Sequence, residues 1–312
     1  MRIGIDILGG DYAPKATTLG SILAFKELNQ GEELVLFGDK DKVESLCVEN
    51  GFNAGDFEII HTTEFIEMGE HPVKAFSKKP NSSVSLGFKF LAEGKIDGFA
   101  SAGNTGAMLV GSMYTVKAIP GIQRPSLTSI VPKESGGFGI ILDVGANADC
   151  KPETLAQFGV LGSLYSEHVF KNKNPKVALL NIGEEEEKGN LLTQASHTLL
   201  KEVKSINFIG NIESREIFGD QADVIVCDGF TGNVVLKLAE SFYIMTRKRK
   251  LKDEFFDRFN YELYGGSPIL GVNAPVVVGH GISNEIAIKN MILHTRDLIL
   301  SDVTNKIKNT FA

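Results

Sequence analysis

The chain has no uninterrupted apolar run of about 18 residues, so no membrane-spanning helix is expected. Cysteine is scarce. Cys47, Cys150 and Cys227 are far apart, odd in number and form no CxxC pair. They predict no disulfide framework and fit a reducing compartment. The N-terminal MRIGIDILGGD is apolar for only a few residues before Gly9, Gly10 and Asp11. It lacks the long apolar stretch and cleavage site of a signal peptide, which predicts a cytoplasmic protein. Basic excess is missing too. A formal net charge of -7 argues against a nucleic-acid partner, whose phosphates usually demand a basic balance. Neither a G-x-G-x-x-G opening the first helix nor a GxxxxGK[ST] occurs, so classical dinucleotide and P-loop readings lose their main support. There is no H-E-x-x-H, and the six histidines are scattered without metal-ligand spacing.

What is present is an alternation. Strand-like runs at residues 2–8, 33–37, 57–61, 97–102, 139–143, 176–182, 206–209, 223–227 and 276–278 are separated by helical stretches such as 16–28 and 40–49. This predicts an α/β fold, a largely parallel sheet with helices on both faces and right-handed crossovers. The 312 residues form either one catalytic α/β unit or two subdomains sharing a sheet.

Several strands end in a glycine-rich polar string: GGD at 9–11, SAGNTGA at 101–107, DVGAN at 143–147, NIGEE at 181–185, CDGFTGN at 227–233 and GHG at 279–281. Ligands of open α/β sheets bind beyond the carboxyl ends of the strands, so the set predicts one shared cleft. Glycines allow close backbone approach, and a helix beginning there offers free N–H groups to an anion. Asn104 and Thr105 stand where a first helical turn would begin. Asp143 and Asn147 bracket a second turn. Asn181 opens a third, and Lys188 is the cation expected to turn inward from the acidic run Glu184 to Glu187. Asp228, Thr231 and Asn233 supply a carboxylate, a hydroxyl and an amide ahead of an apolar helix, with Lys237 one turn deeper. Among the histidines, His280 has the best claim to a cleft. Cys150 beside Asp149 raises a nucleophile reading, but a structural free cysteine is the favoured one.

Taken in order, these strings resemble the bacterial phosphate acyltransferases of phospholipid synthesis. The resemblance rests on DILGGD at 6–11, SAGNTGA at 101–107, GIQRP at 121–125, DVGAN at 143–147 and LLNIGEEEEKGN at 179–190. It continues through GNIE at 210–213, CDGFTGNVVLK at 227–237, YGGSPILGV at 264–272 and HG at 280–281. Two departures stand out: Ile7-Leu8 after Asp6, and Pro80-Asn81 ahead of the paired serines Ser82 and Ser83. The resemblance implies a fold like the isocitrate and isopropylmalate dehydrogenases and the phosphotransacetylases, and a homodimer. It implies transfer of a long-chain acyl group from acyl carrier protein to inorganic phosphate, with no metal or organic cofactor. His280, Asn233 and Lys188 are then the expected catalytic residues. Asn104, Thr105, Asp143, Asn147, Asn181, Asp228, Thr231 and Lys237 are the expected substrate-binding set. A coenzyme A-dependent phosphotransacetylase-like enzyme, a dehydrogenase of similar fold and a non-enzymatic lipid-synthesis scaffold are the alternatives.

Residues 242–264 form a candidate protruding helical segment. Arg247, Lys248, Arg249, Lys250 and Lys252 are clustered, and Phe255, Phe256 and Phe259 are spaced to share one helical face. The pattern suits an anionic membrane surface, an acidic carrier protein or the dimer partner.

Overall fold

The computed structural model describes residues 1–312 as two compact units. One comprises Met1–Ala118 and Tyr261–Leu300, the other Ile119–Asn260 and Ser301–Ala312. The first begins with β1 (Arg2–Asp6), α1 (Lys15–Phe25), β2 (Glu33–Gly38), α2 (Lys40–Glu49) and β3 (Glu58–His61). It continues through α3 (Pro72–Lys78), α4 (Ser83–Ala92), β4 (Gly98–Ser101) and α5 (Thr105–Gly111). The second unit runs β5 (Ser126–Pro132), β6 (Phe138–Leu142), α6 (Pro152–Val169), β7 (Lys176–Leu180), α7 (Leu191–Glu202), β8 (Asn207–Ile212), β9 (Val224–Val226), α8 (Gly229–Lys248) and α9 (Glu254–Asp257). The chain then returns to the first unit for β10 (Ser267–Leu270), β11 (Val276–Val278) and α10 (Glu285–Leu300), and ends in the second with α11 (Val303–Phe311).

In the first unit the strand order is β3-β2-β1-β4-β11-β10, parallel except for β10 against β11. In the second it is β5-β6-β9-β7-β8, parallel except for β5 against β6. The central strands are buried almost end to end, as in RIGID of β1 and ELVLFG of β2, because helices cover both faces. Each strand expected from the alternation forms. Two further strands, β5 and β10, supply the antiparallel pairings.

Local sequence explains most helix starts. Asp39, Ser82, Asn104, Asn190 and Asp228 sit in extended backbone and accept a first-turn N–H, as N-caps do. The first unit's core is closed by aromatic edges. Phe37 meets Phe90 and Phe99 at centroid distances of 5.2 and 5.8 Å, and Phe88 meets Phe99 at 5.2 Å. Such T-shaped pairs add roughly 0.5–1.5 kcal/mol beyond the area they bury.

Within 242–264, the single helical face expected for the three phenylalanines does not form. The segment carries the end of α8, the short α9 and a 3-10 turn at Tyr261–Leu263; Phe259 lies beyond α9, so Phe255, Phe256 and Phe259 do not lie along one helix face. Their rings turn inward with Phe218 and Phe242. Phe218 lies 5.0 Å from Phe259, and Phe242 lies 5.9 Å from it. Burial of ring surface outweighs the helical spacing. The exposed apolar groups here are Ile244, Met245, Leu251 and Leu263 instead.

Candidate functional site

The strings expected to share one cleft fall into two groups, one on each unit. In the first unit they occupy the carboxyl ends of the neighbouring strands β1, β4 and β11. Asp6 ends β1 with a fully buried carboxyl. It accepts hydrogen bonds from the Ser101 hydroxyl at 2.6 Å and the Leu8 N–H at 3.0 Å. Burial pushes its pKa above the ordinary 3.8, against the pull of those bonds. Ser101 Oγ in turn accepts the Gly103 N–H at 2.9 Å. A Cβ on Gly9 would stand 2.3 Å from Asp6 Oδ2 and 2.8 Å from Ser101 Oγ, so only glycine lets the first turn approach this pair. The Asp11 N–H donates to the Gly281 carbonyl at 2.7 Å, and the Gly279 N–H to Ser101 O at 2.8 Å. The 9–11, 101–107 and 279–281 turns are thus stitched together.

Of the expected residues on this unit, Asn104 is committed to the fold. Its Oδ1 accepts the Ala107 N–H at 3.0 Å, and its Nδ2 donates to the carbonyls of Glu67, Met68 and Glu70 at 3.0–3.1 Å. It holds the turn and has no donor left for a ligand. Thr105 is exposed at the first position of α5. The His280 ring is half-buried, 4.9 Å from the Tyr261 ring centroid, and its carbonyl accepts the Ser283 hydroxyl at 2.6 Å.

In the second unit the DVGAN turn is built around the carboxylate of Asp143. It accepts from the N–H groups of Leu127, Gly145, Ala146 and Asn147 at 2.7–3.2 Å, and from Asn147 Nδ2 at 2.8 Å. Burial nevertheless raises its pKa above the ordinary 3.8. Asn147 Nδ2 also donates to the Pro125 carbonyl at 2.8 Å, and its own carbonyl accepts the Gly229 N–H at 2.8 Å. Asn233 is exposed in the first turns of α8 and donates to Val144 O at 3.1 Å. The start of α8 therefore lies directly on the 143–147 turn. Gly232 makes that approach feasible: a Cβ there would stand 1.8 Å from the Asp143 carbonyl oxygen.

Asp228 caps α8, accepting the Thr231 N–H and hydroxyl, both at 2.8 Å. Asn181 binds its neighbouring loop, with Nδ2 on the Lys188 carbonyl at 3.1 Å and Oδ1 on the Ile182 N–H at 2.9 Å. The acidic run is solvated, and Glu186 pairs with Lys201 at 2.6 Å. The Lys188 side chain is exposed, its stem packed over Gly183, rather than turned inward. Exposure keeps the ammonium hydrated beside four glutamates, which offsets any pull toward the interior. Lys237 is neutralised by Glu240 at 2.8 Å on the surface of α8. Cys150 donates to Asn147 O, and burial with the nearby Asp143 carboxylate pushes its thiol up to about 11.

A cavity of about 570 Å³ opens at the carboxyl ends of β7, β8 and β9, with Asn181, Asp228 and Thr231 on its wall. Asp6 and Ser101, outside the expected residues, join the first-unit cluster, and Arg124 is a further candidate beside the second. Arg124 is exposed without an ion pair, next to the Pro125 carbonyl held by Asn147. Its position inside GIQRP was the available signal.

Comparison with known proteins agrees with this frame. The chain matches the family described as "Fatty acid synthesis protein" over residues 1–306. It is 42% identical to a phosphate acyltransferase of Dictyoglomus turgidum, covering 98% of this chain and 96% of the relative. It is 43% identical to one of Clostridioides difficile, covering 94% and 91%. Among solved structures, a phosphotransacetylase from Streptococcus pyogenes superposes with a TM-score of 0.70 at 18% identity, covering 96% of this chain and 94% of that one. One from Staphylococcus aureus gives 0.64 at 18% identity, with the same coverage. These two show the shared fold.

Proposed function

This chain belongs to the phosphate acyltransferase family, and on that premise we propose that it moves a long-chain fatty acyl group from the thioester of acyl carrier protein to inorganic phosphate. A phosphate oxygen attacks the thioester carbonyl carbon. The new C–O bond forms, the C–S bond breaks, and the thiolate leaves with its electron pair and takes up a proton. The products are acyl phosphate and free carrier protein.

The observation that carries the reading is the family match along nearly the whole chain, and the site chemistry is compatible with it. Phosphate is already a nucleophile, so no acyl-enzyme is required and positioning supplies much of the rate. The protonated Cys150 suits this direct route. Arg124, exposed and without an ion pair, and Lys188, exposed beside the acidic run, are the proposed phosphate cations. Asn233 is the proposed polar contact for charge developing on the carbonyl oxygen. His280 is the proposed proton source for the thiolate, whose pKa of about 8.5 makes the demand mild.

Homodimerisation is part of the same proposal. Phe230, Val234, Leu238 and Met245 are all at least half exposed and recur along α8 at helical spacing. An apolar stripe of that kind favours a partner surface. No helix is long and apolar enough to cross a membrane. Peripheral contact through the basic 247–252 cluster is proposed instead.

The deciding experiment incubates the protein with long-chain acyl carrier protein and phosphate and traps product with hydroxylamine. Phosphate-dependent hydroxamate is expected. Thioester hydrolysis that ignores phosphate, with nothing trapped, would overturn the reading. Turnover of acetyl-coenzyme A alone would move the donor to the coenzyme A class.

A further inference from the structure

We infer that the cavity at the carboxyl ends of β7, β8 and β9 receives the aliphatic chain of the acyl donor and so sets the enzyme's chain-length preference. The inference rests on the acyl-transfer reading and adds to it where the chain goes.

Charge excludes one class of ligand. No lysine, arginine or histidine lines the cavity, whereas Glu213 and Asp228 do. Phosphate, or the phosphate groups of a nucleotide, would meet the Asp228 carboxylate, while the neighbouring cation Arg215 is already paired with Glu213. The polar wall is also largely satisfied. Asn181 is bound at both amide ends, Asp228 holds the Thr231 N–H and hydroxyl, and Asn190 Oδ1 accepts the Thr193 N–H at 2.9 Å. A ligand needing several hydrogen bonds would find few open partners.

What remains is hydrocarbon. Leu155 and Leu179 are buried at its lining, Val235 of α8 is half-buried, and Ile182 is 78% exposed. An exposed isoleucine beside a hollow backed by leucines is covered favourably by methylene groups. At about 570 Å³ the space falls inside the range of roughly 300–1,000 Å³ that small-molecule pockets occupy. The position ties it to the reacting centre. Thr231 and Asp228 belong both to this wall and to the start of α8, which rests on the 143–147 turn through Asn147 and Asn233. A chain entering here would leave its carbonyl end beside the residues proposed for phosphate transfer.

Val235 offers the test, because it lines the hollow and takes no part in the proposed chemistry. The full chain is assayed with carrier protein bearing either an octanoyl or a hexadecanoyl group. Val235→Phe should lower the hexadecanoyl-to-octanoyl ratio of kcat/KM by about tenfold or more, the size of effect that lost pocket space produces. Val235→Ala should move the ratio the other way, and it keeps the question answerable if the larger side chain impairs folding. A ratio unmoved in both variants overturns the inference. So does an equal change for both chains, which would assign the hollow to the carrier's pantetheine arm. A hexadecanoyl chain with a terminal diazirine decides the matter without turnover. Label within 179–182 or 227–235 supports the cavity, and label confined elsewhere overturns it. If the unaltered protein forms no acyl phosphate from either donor, the transfer reading fails while the labelling still decides the cavity.

Discussion

Asp143 and Asn147 are joined twice, because one carboxylate oxygen of Asp143 accepts both the backbone N–H of Asn147 at 2.7 Å and its Nδ2 at 2.8 Å. Asp143→Asn would set an NH₂ donor against donors. A loss of about 1–3 kcal/mol is expected, the cost of buried groups left unpaired. The pH dependence follows from the raised pKa of Asp143. Its contribution is fully present below the unfolded value and is lost as pH rises through the higher folded value. Denaturant titrations should therefore show the gap between wild type and Asp143→Asn narrowing as pH rises. A gap that widens instead would contradict the burial-driven shift.

The two asparagines proposed from sequence separate by their surroundings. Asn104→Ala removes a helix cap and three further bonds, so it should cost about 1–2 kcal/mol through the cap alone and lower turnover as a consequence. Asn233 is exposed and makes one bond to Val144 O. Asn233→Ala should leave the melting temperature nearly unchanged while slowing turnover. Melting curves alongside steady-state kinetics check the contrast. Equal stability losses in both variants would remove Asn233 from the catalytic set.

Arg124 has no acid partner to leave behind, so truncating it should affect ligand binding more than folding. Arg124→Ala should raise the phosphate KM about tenfold or more, as expected for a lost charge-assisted hydrogen bond. Arg124→Lys should restore only part of it, since an ammonium lacks the planar fork. Phosphate titrations at fixed acyl donor read this directly. An unchanged KM would leave Arg124 outside the phosphate site.

A thiol pushed up to about 11 is protonated at neutral pH, so Cys150 should alkylate slowly there and rapidly only as the pH approaches that value. Cys150→Ser should keep most of its activity. Mass spectrometry after mixing with acyl donor should find no acyl group on Cys150. A trapped acyl-cysteine that matures into product would reverse this assignment.

The parallel strands were legible because burial on both faces writes itself as short apolar runs such as VALL in β7. The antiparallel additions were not. Strand β5 carries Ser126, Thr128 and Ser129 among its apolar residues, and Pro268 in β10 argues against a strand. The glycine strings correctly marked strand ends. What sequence could not assign was commitment. Asn104 and Asp143 have the right chemistry for a ligand, but their hydrogen bonds go to their own turns. Asp6 and Ser101 meet across 95 residues, a pairing that no local pattern carries. Arg124 shows no periodicity because it lies in a loop.

The basic segment yields the last prediction. Arg247, Lys248, Arg249, Lys250 and Lys252 are all exposed where α8 ends, and Ile244, Met245 and Leu251 are exposed beside them. The phenylalanines that would have been the greasy anchors are packed against one another. Contact with an anionic bilayer would thus be chiefly electrostatic, with a few aliphatic side chains dipping in. Attraction near such a surface is worth about 1 kcal/mol per basic residue and fades within a Debye length. Reversing two charges in Lys248→Glu/Lys250→Glu should therefore cut partitioning onto phosphatidylserine vesicles at least tenfold at low salt. Raising the salt should weaken wild-type binding in the same direction. Acidic carrier protein would be drawn by the same field, so its KM should rise in the variant, with the phosphate KM unmoved. Vesicle sedimentation and carrier-protein kinetics in one buffer separate the two partners. Partitioning and KM both unchanged at low salt would leave these five cations as solvated surface.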